Sequence, residues 1–137
     1  MKAAVLEKLN KPLQIRKNLN YKNLSLGQVL VKIYYTGVCR SQIYEIFNGR
    51  NNKKFLPHLL GHEATGVVEK KHKSVKKVNI GDRVILTWIK TRGIQSKNPI
   101  YSCKEIKKKL IVEVLQLLVA TRSCLKIELS NWIKILI

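Results

Sequence analysis

At 137 residues, 45% of them hydrophobic, the chain has the length of one domain and too much apolar content for a disordered one. Its charge is one-sided, 27 Lys+Arg against 8 Asp+Glu for a formal +19, a balance that raises nucleic acid or an anionic membrane as partners. No run of about 18 apolar residues is present to span a membrane, the first residues lack the order of a secretory signal, and the lysines follow the whole chain with no basic arm or helical stripe.

In chain order, residues 1–36 read as β structure. An apolar run occupies 3–6, Leu13, Gln14 and Ile15 alternate, and 28–36 is rich in Val, Ile and Tyr between Gly27 and Gly37. Residues 40–47 place Ile43, Ile46 and Phe47 at i, i+3 and i+4, which predicts a short helix with one apolar side, stopped by Asn48 and Gly49. A polar loop is expected over 50–54. Residues 64–69 and 83–88 are the next predicted strands, the second reached through a turn at Asn79, Ile80, Gly81 and Asp82. Many short strands between glycine turns predict a compact β barrel or sandwich with a small helix.

The character then changes. All seven Gly and all three Pro lie at or before Pro99, and 110–137 is dominated by apolar residues without either. Strand-and-turn domains need such punctuation. An apolar terminal helix fits poorly, because Leu115, Leu117, Leu118 and Val119 spread around the wheel. A shift of reading frame at the A-rich codons of Lys107, Lys108 and Lys109 is one account of the break, since one permitted back-translation in the other frame restores glycine, proline and alternation; a divergent terminal helix and ordinary loss of the second domain are the others. The nucleotide sequence across Lys107 to Leu110 tests this.

The cysteines, Cys39, Cys103 and Cys124, form neither a CxxC nor an even-numbered framework, which fits a reducing compartment and predicts a cytoplasmic protein. Cys39 stands at a predicted strand-to-helix junction, where a thiolate is favoured by helix-terminal N–H groups. His62 lies between Gly61 and Glu63, where small residues let backbone approach closely. Zinc takes such N and S donors tetrahedrally, and a catalytic zinc keeps one position open.

Three segments carry these residues: Gly37 to Ser41, Leu59 to Val68 with Gly61, His62 and Glu63 at its centre, and Gly81 to Val84. In order, spacing and flanking strands they resemble the N-terminal part of the zinc-dependent, medium-chain alcohol dehydrogenase family over roughly residues 1–105. The resemblance implies a mainly β, GroES-like barrel with a short helix at 1–105, with the Rossmann cofactor domain absent. An atypical apolar and basic tail, non-native or irregular, is expected at 106–137. It further implies that Cys39 and His62 are ligands of a catalytic zinc and that Ser41 relays the proton of the alcohol. Glu63 corresponds to an acid behind the metal that itself ligates in polyol-dehydrogenase relatives.

There are departures. Gln42 replaces an Asp that in many relatives holds the histidine ligand; an amide can still hydrogen-bond an imidazole but adds no charge. The lobe that holds a structural zinc in many relatives corresponds to 87–103, where Cys103 stands alone, so no structural zinc is expected. The family's third cysteine ligand would lie beyond residue 137, and Cys124 is a poor substitute.

The implied ancestral reaction is hydride transfer between a small-molecule alcohol and NAD or NADP, the nicotinamide being held only in the full-length relative. These 137 residues contain no Gly-x-Gly-x-x-Gly, so the chain alone is expected to be inactive. The alternatives are a non-catalytic fragment that binds zinc or a partner, or self-associates through exposed apolar surface, and a basic nucleic-acid-binding module. The last rests on charge alone, and A/T-rich codons for the abundant Lys, Asn and Ile explain much of that charge.

Overall fold

The structure is a computed structural model that describes residues 1–21, 23–47, 53, 56–87, 94, 96–111, 123–125 and 134–136. Among these residues the elements run β1 (Ala3–Leu6), β2 (Gln14–Arg16), β3 (Leu19–Tyr21), β4 (Val29–Thr36), α1 (Arg40–Ile46), β5 (His58–Leu59), β6 (Ala64–Lys71), β7 (Arg83–Leu86), β8 (Ile100–Cys103), β9 (Ile106–Ile111), β10 (Ser123–Leu125) and β11 (Lys134–Leu136). They form a six-stranded sheet, β2-β1-β5-β9-β8-β3, and a five-stranded sheet, β10-β4-β6-β7-β11.

The two sheets share one core. The first contributes Val5, Leu19, Leu59, Tyr101 and Leu110, and the second Val29, Val31, Val68, Val84 and Leu86, with Val75 and Val78 closing it from the connection between β6 and β7. Along β6 the pleat alternates, sending Ala64, Gly66 and Val68 inward. Gly66 is needed for the close approach of β4: a Cβ there would run into the carbonyl oxygen of Lys32 and a methyl of Val31. The predicted turn before β7 is present. Asn79 N–H donates to the Asp82 carboxylate at 2.7 Å, Gly81 takes φ +92°, and Gly81 N–H returns to the Val68 carbonyl at 2.8 Å.

β4 shifts register against β6 between Leu30 and Val31 and again between Ile33 and Tyr35. Such irregularities bend a strand and re-aim the residues beyond the bend. Past the second, Tyr34, Tyr35 and Thr36 turn outward and the chain leaves the sheet toward Cys39.

The predicted helix forms as α1, and most of its apolar side faces out. Its buried residues are Gln42 and Glu45, while Ile43, Tyr44 and Phe47 are exposed. The i, i+3, i+4 apolar pattern marks a real stripe, but polar partners at the ends of the opposite face decide which side turns in. The stop at Asn48 and Gly49, the loop at 50–54 apart from Lys53, and Trp88 lie outside the described residues.

The expected boundary between 105 and 106 falls between β8 and β9, and β9 pairs with both β8 and β5 in the same sheet. Farther on, the described parts of 106–137 are two three-residue strands, β10 antiparallel to β4 and β11 parallel to β7. The remainder of that tail lies outside the described residues. Cys103 belongs to the core, its thiol 3.6 Å from the Lys17 carbonyl. Among the described residues no helix is long and apolar enough to cross a membrane.

Candidate metal centre

Two excursions from the sheets meet at one point. The first leaves β4 at Thr36 and Gly37 and ends at Cys39, the N-cap of α1, whose extended backbone (φ −90°, ψ 149°) starts the helix. Gln42 fixes that start. Its side-chain oxygen accepts the Cys39 N–H at 2.6 Å, and its own N–H donates to the Cys39 carbonyl at 3.0 Å. The amide oxygen that could have bonded the histidine is thus spent on the cysteine's backbone. Among the described residues Gln42 Nε2, which is buried, has no hydrogen-bond partner.

The second excursion runs from β5 through Leu60 and Gly61 to His62 and Glu63, then enters β6. Gly61 takes φ +120°, a conformation L side chains rarely adopt, and this bend aims the next residue back toward α1. The two excursions are stitched together at Glu63, whose carbonyl accepts both the Gly37 N–H and the Thr36 hydroxyl, each at 2.9 Å. Gly37 also leaves room for the Glu63 carboxylate, since a Cβ there would stand 2.8 Å from Glu63 Oε2.

As a result the ligand atoms of Cys39, His62 and Glu63 all lie within 4.8 Å of one another. His62 Nε2 is 3.3 Å from Glu63 Oε1, with the His62 side chain 12% and the Glu63 side chain 49% exposed. Ligands at zinc's usual bond lengths are separated by tetrahedral edges of about 3.4–3.6 Å, so the His62–Glu63 spacing already suits the ion. A thiol, an imidazole and a carboxylate, one side of them open to solvent, are a donor set zinc accepts with a position to spare. Ser41 sits beside them and donates its hydroxyl to Cys39 Sγ at 3.4 Å. An open groove of about 460 Å³ adjoins Glu63, bounded among others by Tyr35, Thr65, Ile85 and Thr87.

All four site residues named from the sequence therefore come together. Three others that shape the site were not singled out there: Gly37, which makes space for Glu63, and the buried Glu45 and His58, which face each other behind it. Gly37 was visible as a strand-ending glycine. Glu45 and His58 carried no spacing signal, because they meet only in three dimensions.

The fold and the site together define a two-sheet β domain in which, among the described residues, one short helix and one tight glycine bend bring a thiol, an imidazole and a carboxylate within 4.8 Å of one another. More narrowly, the chain belongs to the alcohol dehydrogenase GroES-like domain family, whose sequence pattern matches residues 25–116. It is similar to an alcohol dehydrogenase of Geobacillus stearothermophilus, 39% identical over 89 residues, covering 65% of this chain and 26% of that protein. An alcohol dehydrogenase class-3 of Dictyostelium discoideum is 38% identical over 92 residues, 67% of this chain and 24% of that one. Among solved structures, an alcohol dehydrogenase zinc-binding domain protein from Burkholderia ambifaria superposes with a TM-score of 0.55 at 31% identity, over 61% of this chain and 22% of that one. The chain thus spans about a quarter of the length of the curated relatives it matches.

Proposed function

We propose that this chain is the zinc-holding part of an alcohol:nicotinamide oxidoreductase, in which Cys39, His62 and Glu63 hold the ion and Ser41 handles the proton of the alcohol. The observation that carries the reading is the convergence of three ligand atoms within 4.8 Å from two separate excursions of the chain. When bound, zinc supplies Lewis acidity that lowers the pKa of an alcohol oxygen at the open position.

The chain's own groups do the rest. The Cys39 thiolate and His62 imidazole fix the site from its buried side, and Glu63, half exposed, reaches it from the solvent side. Ser41 holds its hydroxyl within 3.4 Å of Cys39 Sγ, at the rim where an alcohol's proton would leave. It accepts that proton and passes it outward. The groove against Glu63 offers Tyr35 and Ile85 as apolar walls for the carbon skeleton of the alcohol. NAD or NADP is bound by another part of the full-length relative, so these 137 residues by themselves hold metal and alcohol without turning over.

Metal analysis of the purified chain tests this. One zinc per chain is expected, reduced to background by Cys39→Ala and by His62→Ala, with no alcohol-dependent reduction of NAD or NADP. Absence of stoichiometric zinc from the unaltered chain contradicts the metal assignment, and measurable turnover contradicts the claim of inactivity.

A second reading, a partner-binding or self-associating fragment, is favoured by one observation. Val38, 69% exposed just before the N-cap Cys39, Ile43 and Tyr44 on α1, and Phe47, 66% exposed at its C-cap, are exposed apolar residues close together in the chain. Sedimentation at increasing concentration distinguishes it, since a monomer at every concentration rules out self-association.

A further inference from the structure

The helix that carries Cys39 is docked by its polar side. Gln42 and Glu45 are 2% and 3% exposed, while the apolar Ile43, Tyr44 and Phe47 face outward. A seven-residue helix in that orientation gains little from hydrophobic burial. Its C-terminal end is tied by the Asn10 N–H to the Ile46 carbonyl at 2.8 Å. On its inner face Glu45 Oε1 lies 3.4 Å from His58 Nδ1, a close polar contact that is not a hydrogen bond, both side chains almost wholly removed from solvent.

The position of this pair matters more than its presence. Glu45 stands on the helix that Cys39 caps, and α1 hangs from β4 of the five-stranded sheet. His58 belongs to β5, inside the six-stranded sheet, where it pairs with Leu6 on one side and Ile111 on the other. The chain from His58 runs straight on through Leu59, Leu60 and Gly61 to His62. The Glu45–His58 contact therefore joins the segment bearing the thiol to the segment bearing the imidazole, from behind and across the two sheets. A carboxyl and an imidazole 3.4 Å apart in a low-dielectric interior attract each other more strongly than they would in water, so pulling the two segments apart costs that attraction.

We propose that Glu45 and His58 are a positioning pair for the metal centre. The pair fixes the distance between Cys39 Sγ and the His62 ring before an ion arrives, so the chain does not have to gather its ligands when the metal binds. The proposal rests on the reading that Cys39, His62 and Glu63 hold a metal.

Cobalt(II) titration of the full chain tests it, using the thiolate-to-cobalt charge-transfer absorption as the signal. The unaltered chain should develop the band at one equivalent, and Cys39→Ala should abolish it. Glu45→Leu should weaken cobalt affinity roughly ten-fold, within the range seen when groups supporting metal ligands are lost, with the band at saturation unchanged in position. If Glu45→Leu does not fold, the isosteric Glu45→Gln takes its place. It should lose affinity to a smaller degree, because an amide still bonds an imidazole.

A pair that merely stabilises the fold would lower the melting temperature of the metal-free variant and leave cobalt affinity, measured well below that temperature, unchanged. That result overturns the proposal while the site assignment stands. A band missing from the unaltered chain, or undiminished in Cys39→Ala, overturns the site assignment and this proposal with it.

Discussion

Gly37 and Glu63 are fitted to each other: the Gly37 N–H donates to the Glu63 carbonyl at 2.9 Å, and the missing Gly37 side chain is the space into which the Glu63 carboxylate fits. The atom a Cβ would meet first, at 2.8 Å, is Glu63 Oε2, the far end of a flexible side chain. Gly37→Ala is therefore expected to cost under about 1 kcal/mol of stability while turning the carboxylate away from Cys39 and His62. Zinc affinity should fall roughly ten-fold, measured by competition with a chromogenic chelator alongside thermal unfolding of the metal-free chain.

Gly66 gives the opposite balance. A Cβ there meets backbone, the Lys32 carbonyl, and the two strands would have to separate. Gly66→Ala is expected to cost about 1–3 kcal/mol, as overpacking does in a tight interior. Urea unfolding measures it, and a variant as stable as the unaltered chain would show that β4 and β6 have room for a methyl group between them.

Gln42 closes the first turn of α1 by accepting the Cys39 N–H at 2.6 Å. Gln42→Leu keeps the volume and removes the acceptor, at an expected cost of about 1 kcal/mol. Its effect should extend to the metal, because the residue whose backbone is released is Cys39. Gln42→Glu retains the acceptor and should preserve metal affinity.

On β2, Arg16 bonds Glu7 at 2.6 Å and reaches Glu105 at 3.3 Å. The hydrogen bond from Arg16 holds the Glu7 carboxyl below its ordinary pKa. A depressed carboxylate contributes stability above its unfolded pKa and loses it as pH falls through the folded one. Glu7→Gln should therefore melt at a slightly lower temperature than the unaltered chain at pH 7. The gap should close on acidification below about pH 4, the ordinary range of Glu. A gap independent of pH would remove the charge from the explanation. Its size is that of an exposed ion pair, small and screened by salt.

The strands that position the site were legible because each combines β-branched content with glycine punctuation: β4 between Gly27 and Gly37, β6 after Gly61, β7 after the turn at Gly81. That Cys39, Ser41, His62 and Glu63 belong together was legible through the resemblance of their segments to the family, and the structure brings the ligand atoms of Cys39, His62 and Glu63 within 4.8 Å. The inward face of α1 was not. Ile43, Ile46 and Phe47 marked one apolar side without fixing which way it turns, and the buried face carries Gln42, which accepts the Cys39 N–H, and Glu45, 3.4 Å from His58. Both are tertiary matches between polar groups, and hydrophobic periodicity does not register them. β5 was hidden for another reason: two residues, His58 and Leu59, are too short a run to show alternation, and the sheet around them supplies the pairing.

The central claim is that a sulfur and a ring nitrogen from separate excursions of the chain bind one ion. Zinc K-edge X-ray absorption on the purified chain loaded with one equivalent measures this directly. A mixed shell is expected, one sulfur at about 2.3 Å with nitrogen and oxygen donors at about 2.0–2.2 Å, and loss of the sulfur contribution in Cys39→Ser. A shell of nitrogen and oxygen alone in the unaltered chain would contradict it.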